Sequence, residues 1–186
     1  MVPVMSLVVP ILVSAVIVFV ASSIIHMMLP YHQADFGKLS KEDEVMEALR
    51  RFSIEPGDYV VPCAGSPAGM KKPEFLDKMN KGPVAFMTVL RPGSPAMGTS
   101  LVLWFLFSVL VSTSAGYIAG RALAAGDSYL EMFRFVGAAA FMGYSYALLQ
   151  NSIWYSRNWR MTTVTMFDGL VYALLTAGTF GWLWPR

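Results

Sequence analysis

Two histidines and an aspartate stand as His26, His32 and Asp35, an H-x5-H-x2-D arrangement at the end of a long apolar run. Imidazole and carboxylate are ligands for zinc and related ions, so these three form a candidate metal set. The set lacks an i, i+4 histidine pair and an obvious third strong ligand. Interfacial hydrogen bonding is the stronger assignment for it, and no cofactor is predicted.

Asp168 is the most unusual polar residue, because it lies inside another apolar run. Only 16 residues separate it from Pro185. That is too few to cross a hydrocarbon core of roughly 30 Å, so the run must begin before Asp168. An unpartnered carboxylate at that depth costs about 2.5–3.5 kcal/mol at the bilayer centre and less towards the edge. A partner or a proton is therefore expected. Asp168 shares a helical stripe with Tyr172, and the connectivity brings Gln150, Asn151, His26, Arg157 and Arg160 to the same membrane face. These seven residues form a candidate ligand-binding or proton-responsive cluster, and polar glue that fixes helix register is the stronger reading of it.

The elements that must position these groups are four apolar runs, over about 5–29, 99–119, 131–153 and 164–184. Each reaches the roughly 20 residues needed to span a bilayer at about 1.5 Å per residue. Hydrophobic residues make up 55% of the chain, charged residues 14%, and mean hydropathy is +0.52. Soluble domains carry about 25% charged residues. Of the 26 charges, 18 lie between Asp35 and Arg91, nine of each sign, so there is no basic patch for nucleic acid. A single cysteine, Cys63, excludes an internal disulfide and a CxxC metal site. The first run lacks a charged n-region and a small-residue cleavage site, and reads as a retained helix.

The expected fold is mainly α: a first membrane helix within 1–30, a small polar α/β insertion over 31–98, and three further membrane helices within 99–186. In the insertion, Ser40 with Asp43 resembles a capping box opening a helix. Glu55-Pro56-Gly57-Asp58 predicts a type II turn. Tyr59–Val61 and Val84–Leu90 read as strands flanking a helix from Pro73 that Gly82 ends. The Gly65–Lys72 stretch does not have the spacing of a phosphate-binding GxxxxGK[ST] loop.

Small residues recur at four-residue steps: Ser112, Gly116 and Gly120 in the second span, Ala139 and Gly143 in the third, and Gly169, Ala173, Ala177 and Gly181 in the fourth. Such rows let membrane helices approach closely. The first span has few small residues and is expected at the periphery or against another subunit. Basic residues near the span ends favour the insertion side, which puts residues 31–98 in the cytoplasm and both termini in the periplasm.

Leu29–His32, Lys81–Val84, Pro95–Phe105 and Asp168–Gly178 resemble a group of small uncharacterised bacterial inner-membrane proteins. The resemblance implies a bacterial inner membrane and brings no activity or site residue. The leading functional expectation is a non-enzymatic accessory or assembly subunit of a larger respiratory or photosynthetic complex, with the lipid bilayer and a membrane-protein partner or a second copy around it. A small oligomeric transporter or ligand-binding bundle using Asp168 comes next, and a metal- or quinone-linked membrane enzyme third.

Overall fold

The computed structural model describes residues 1–94 and 96–185. It is mainly helical, with four helical segments long and apolar enough to cross a membrane: Val4–Met28, Met97–Ala122, Tyr129–Tyr155 and Trp159–Leu183. These are the spans of a multi-pass membrane protein. Two compact units emerge, one of residues 1–36 with 96–186 and one of residues 37–95.

In the first unit, a 3₁₀ turn (Val4–Leu7) leads into α1 (Val8–Met28). Pro10 sits in the first turn of α1, where a missing N–H costs nothing. Pro30 stops the helix, and Leu29 is extended at φ −93°, ψ 132°. The second span is α4 (Met97–Ala122). The third is broken into α5 (Tyr129–Ser145), a 3₁₀ turn over Tyr146–Leu148, and α6 (Leu149–Tyr155). A capping box starts α5: the Ser128 side chain accepts from the Glu131 N–H, and the Glu131 carboxylate accepts from the Ser128 N–H. The fourth span, α7 (Trp159–Leu183), begins five residues earlier than expected, because Asn158 caps it by accepting from the Arg160 N–H at 2.9 Å.

The helices form a ring in which α1 neighbours α4 and α7, and α5 neighbours the same two. Val2 N–H donates to the Gly120 carbonyl at 2.7 Å, and Gly126 N–H to the Pro185 carbonyl at 3.1 Å. The start of α1, the end of α4 and the end of α7 therefore share one face, as up-down-up-down order requires. The expectation of a peripheral first span is wrong: Leu7, Ser14, Ala15 and Val18 are fully buried. Ser14 Oγ donates to Ser112 Oγ of α4 at 3.0 Å. Packing needs one complementary stripe, and Gly116 and Gly120 of α4 supply the hollow in which Leu7, at the head of α1, is seated.

The small-residue rows of α4 and α7 face inward. Ser112, Gly116, Gly120, Gly169, Ala173 and Ala177 are buried, and Gly181 lies against the Tyr129 ring. On α5 Gly143 does pack closely, since an added Cβ would stand 3.0 Å from Val111 of α4, but the buried face lies one position away. Met132, Val136, Ala140 and Tyr144 are buried, while Ala139 is half-buried and Gly143 exposed at the edge beside Val111. The bulky stripe, not the small one, points to the centre there.

The second unit carries α2 (Glu42–Arg50), β1 (Gly57–Val61), α3 (Pro73–Lys81) and β2 (Ala85–Val89). The strands pair antiparallel, with Tyr59 opposite Met87, and Thr88 Oγ1 donates to Asp58 Oδ1 at 2.6 Å. Gly82 ends α3 at φ 61°. Two local expectations fail. Lys41, not Ser40, holds the N-cap position of α2 without a side-chain hydrogen bond. Gly57 begins β1 instead of a left-handed turn; Ser53 takes positive φ at 46° after α2. Among the described residues of 37–94, only Gly69 is fully buried.

Candidate functional site

Once Pro30 ends α1, the Pro30–His32 turn carries Tyr31, His32 and Asp35 to the head of α7. Nine residues into α7, about 13 Å by helical rise, Asp168 is 1% exposed. Its expected partners are present. Tyr31 donates its hydroxyl to Asp168 Oδ1 at 2.5 Å, and His32 Nε2 lies 2.8 Å from Asp168 Oδ2. The other ring nitrogen of His32 lies 2.6 Å from Asp35 Oδ2. Arg160 then closes the chain, donating to Asp35 Oδ1 at 3.3 Å and to the Tyr31 carbonyl at 3.0 Å.

His26 stacks on His32, with ring centroids 4.5 Å apart and planes 12° from parallel. Its Nδ1 lies 3.0 Å from the Ser22 carbonyl. A carbonyl only accepts, so Nδ1 is the donor there, and Nε2 has no hydrogen-bond partner among the described residues. Ser22 is itself held by α4, since Trp104 Nε1 donates to Ser22 Oγ at 2.7 Å.

Titration follows from this geometry. Burial pulls the His32 imidazole down, but hydrogen bonds to Asp35 and Asp168 and the charges of both carboxylates outweigh it, so its pKa lies above the ordinary value. The Tyr31 phenol is pushed up to about 12 by burial first, then by its hydrogen bond to Asp168 and by that carboxylate's charge.

Of the sequence-derived candidates, Asp168, His26 and Arg160 come together. Tyr172 lies one turn beyond Asp168 with its ring edge-on to Trp104; its hydroxyl and that of Tyr144 are buried without a hydrogen-bond partner among the described residues. Gln150 is exposed on α6 and takes no part. Asn151 and Arg157 line a separate cleft. The metal candidates are also rearranged. His26, His32 and Asp168 offer ligand atoms within 4.8 Å of one another, while Asp35 stands behind His32 on its other nitrogen. Tyr31 was missed as a site residue, although its position directly after a Pro-terminated span places it at the same face as Asp168.

A two-histidine, one-carboxylate set suits zinc or iron(II) and leaves coordination positions for water or a substrate. Two ligands about 2.0–2.2 Å from one ion are at most roughly 4.4 Å apart. Neighbouring ligands of a tetrahedral ion stand about 3.4 Å apart, so exposed His26 has to turn out of its stack on His32 and move by up to about 1.4 Å to complete the set.

No protein-family model, no curated protein and no solved structure matches the chain.

Proposed function

We propose that this multi-pass membrane protein is a metalloprotein that holds a divalent transition ion at His26, His32 and Asp168. One observation carries the reading: the atom of each ligand that would face away from the ion is already tied down. His26 Nδ1 is on the Ser22 carbonyl, His32 Nδ1 is on Asp35, and Asp168 Oδ1 accepts from Tyr31. Such outer partners set tautomer and orientation in metal sites, and a carboxylate behind a ligating histidine is a recurring form of them. The ion would replace the contact between His32 Nε2 and Asp168 Oδ2, whose 2.8 Å separation equals that of two neighbouring ligands roughly 90° apart on one ion.

The test is metal analysis of the full chain purified in mild detergent without chelator, followed by zinc titration of the stripped protein. One ion per chain is expected, with zinc binding lost in H26A and D168N. Absence of stoichiometric metal, together with equal zinc binding by wild type and both variants, overturns the reading.

A second reading, an accessory or assembly subunit of a larger respiratory or photosynthetic complex, has its own support in the 37–94 segment. Phe52 and Phe86 are 72% and 52% exposed there, and Leu49 and Leu76 are open too. A folded unit with so little buried apolar surface is completed by a partner. A stoichiometric protein in the same purification supports this reading, and a lone chain opposes it. The setting is the bacterial inner membrane, with the insertion cytoplasmic by the balance of basic residues. Cys63 is exposed, so its labelling in intact cells by an impermeant reagent would reverse the orientation.

A further inference from the structure

The bundle unit contains a second feature that does not depend on the metal reading. A cleft of about 250 Å³ lies at the elbow between α6 and α7. Phe36, Leu148 and Met161 give it apolar walls, and Thr162 and Thr165 line it from α7. Asn151 and Arg157 are its remaining polar groups. Ser156 ends α6 in the left-handed conformation at φ 52°, and the Arg157 N–H donates to the Asn151 carbonyl at 3.1 Å. That turn fixes the backbone of Arg157 beside the cleft.

Arg157 differs from its neighbour Arg160. The guanidinium of Arg160 is committed to Asp35 and the Tyr31 carbonyl, whereas that of Arg157 has no ion pair or hydrogen bond among the described residues. Arginine stays charged at any physiological pH and grips phosphate with two parallel N–H donors. Among the described residues no carboxylate lines the cleft, so none of them there receives the cation of a choline or ethanolamine head. The chemistry selected is a phosphate diester without a cationic neighbour, attached to an apolar body.

Size and depth identify that body. Pockets that enclose whole small molecules measure roughly 300–1,000 Å³, so this cleft admits only part of a longer molecule. Trp154, Tyr155 and Trp159 around the elbow are 71%, 53% and 55% exposed, the pattern of residues that sit at headgroup level. We propose that the cleft binds an anionic phospholipid. Arg157 and Asn151 take the phosphate, and the first acyl methylenes lie on Phe36, Leu148 and Met161.

Native mass spectrometry of the delipidated full chain, with phosphatidylglycerol, phosphatidylcholine or inorganic phosphate added, tests this. The wild type should retain one phosphatidylglycerol in preference to phosphatidylcholine. R157A should hold it roughly tenfold more weakly, the loss of one charge-assisted contact. T165F, which keeps the guanidinium but puts a ring into the cleft, should lose it as well; if T165F does not fold, R157A alone decides. Equal retention of the two lipids, unchanged retention in R157A, or displacement of the lipid by inorganic phosphate overturns the proposal.

Discussion

His32 and Asp168, 136 residues apart in the chain, meet at 2.8 Å through Nε2 and Oδ2. The contact links the turn after α1 to the third turn of α7. It also places a carboxylate that is 1% exposed opposite a ring that a second carboxylate already holds. Removing His32 leaves the buried Asp168 carboxylate with Tyr31 alone, and removing Asp168 leaves His32 with Asp35 alone.

Asp168 substitutions should therefore separate by what they leave behind. Asp168→Asn keeps an acceptor for Tyr31 but removes the charge facing His32. Asp168→Leu leaves the Tyr31 hydroxyl without its acceptor and His32 with Asp35 alone, and an orphaned buried donor costs about 1–3 kcal/mol. Thermal denaturation in detergent should rank wild type above Asp168→Asn and that above Asp168→Leu. A Leu variant as stable as the wild type would remove the structural role assigned to the cluster.

Asp35→Asn and Tyr31→Phe touch no proposed ligand atom, yet each removes an outer partner. Zinc affinity should fall by about 10–100-fold in each, the range seen when such partners are lost from metal sites. Competition with a chromophoric chelator measures it. Because Asp35 is also held by Arg160 at 3.3 Å, Arg160→Ala should shift affinity in the same direction by less.

In chelator-treated protein the cluster should show a pH signature. Folding raises the His32 pKa above its ordinary 6.5, so the folded state binds that proton more tightly than the unfolded one. Its stabilising contribution is complete below 6.5 and is lost as pH rises through the folded value. The difference in Tm between wild type and His32→Gln should then shrink with rising pH across that range. The Tyr31 phenol adds the same sign between its ordinary 10.0 and about 12. A gap that widens with pH would contradict the assigned charge state.

Much of this architecture is legible in the residues themselves. Long apolar runs mark the spans, and Pro73 and Gly82 mark a helix whose ends are set by local chemistry. Asp168 stands out because its burial cost has to be met by something. The identity of its partner is a tertiary fact: Gln150 and Asn151 were nearer in the expected topology, but the α6–α7 elbow turns them away. Metal-ligand spacing misled for a related reason. Asp35 is close to His32 in sequence and does touch it, but on the nitrogen opposite Asp168. The inward face of α5 escaped because small residues mark where helices approach closely, whereas bulky ones such as Met132 and Tyr144 mark where they fill a core.

The tightest helix contact offers a test free of any functional assumption. A Cβ built on Gly169 would stand 2.2 Å from Ser145 Oγ and 3.2 Å from Tyr144 Cβ. Gly169 packs there against the last residue of α5, where the third span breaks into its 3₁₀ turn. Gly169→Ala should therefore destabilise the bundle by about 1–3 kcal/mol, as overpacking does in a dense core. Gly98→Ala is the control, since a Cβ there meets nothing within 4 Å and alanine favours the helix. Ser145→Ala removes the closest atom and leaves the remaining contacts at 3.2 and 3.4 Å. The double variant should recover most of the loss, giving a coupling energy on the order of 1 kcal/mol in a double-mutant cycle. Additive effects in that cycle would mean that the two helices do not meet through these residues.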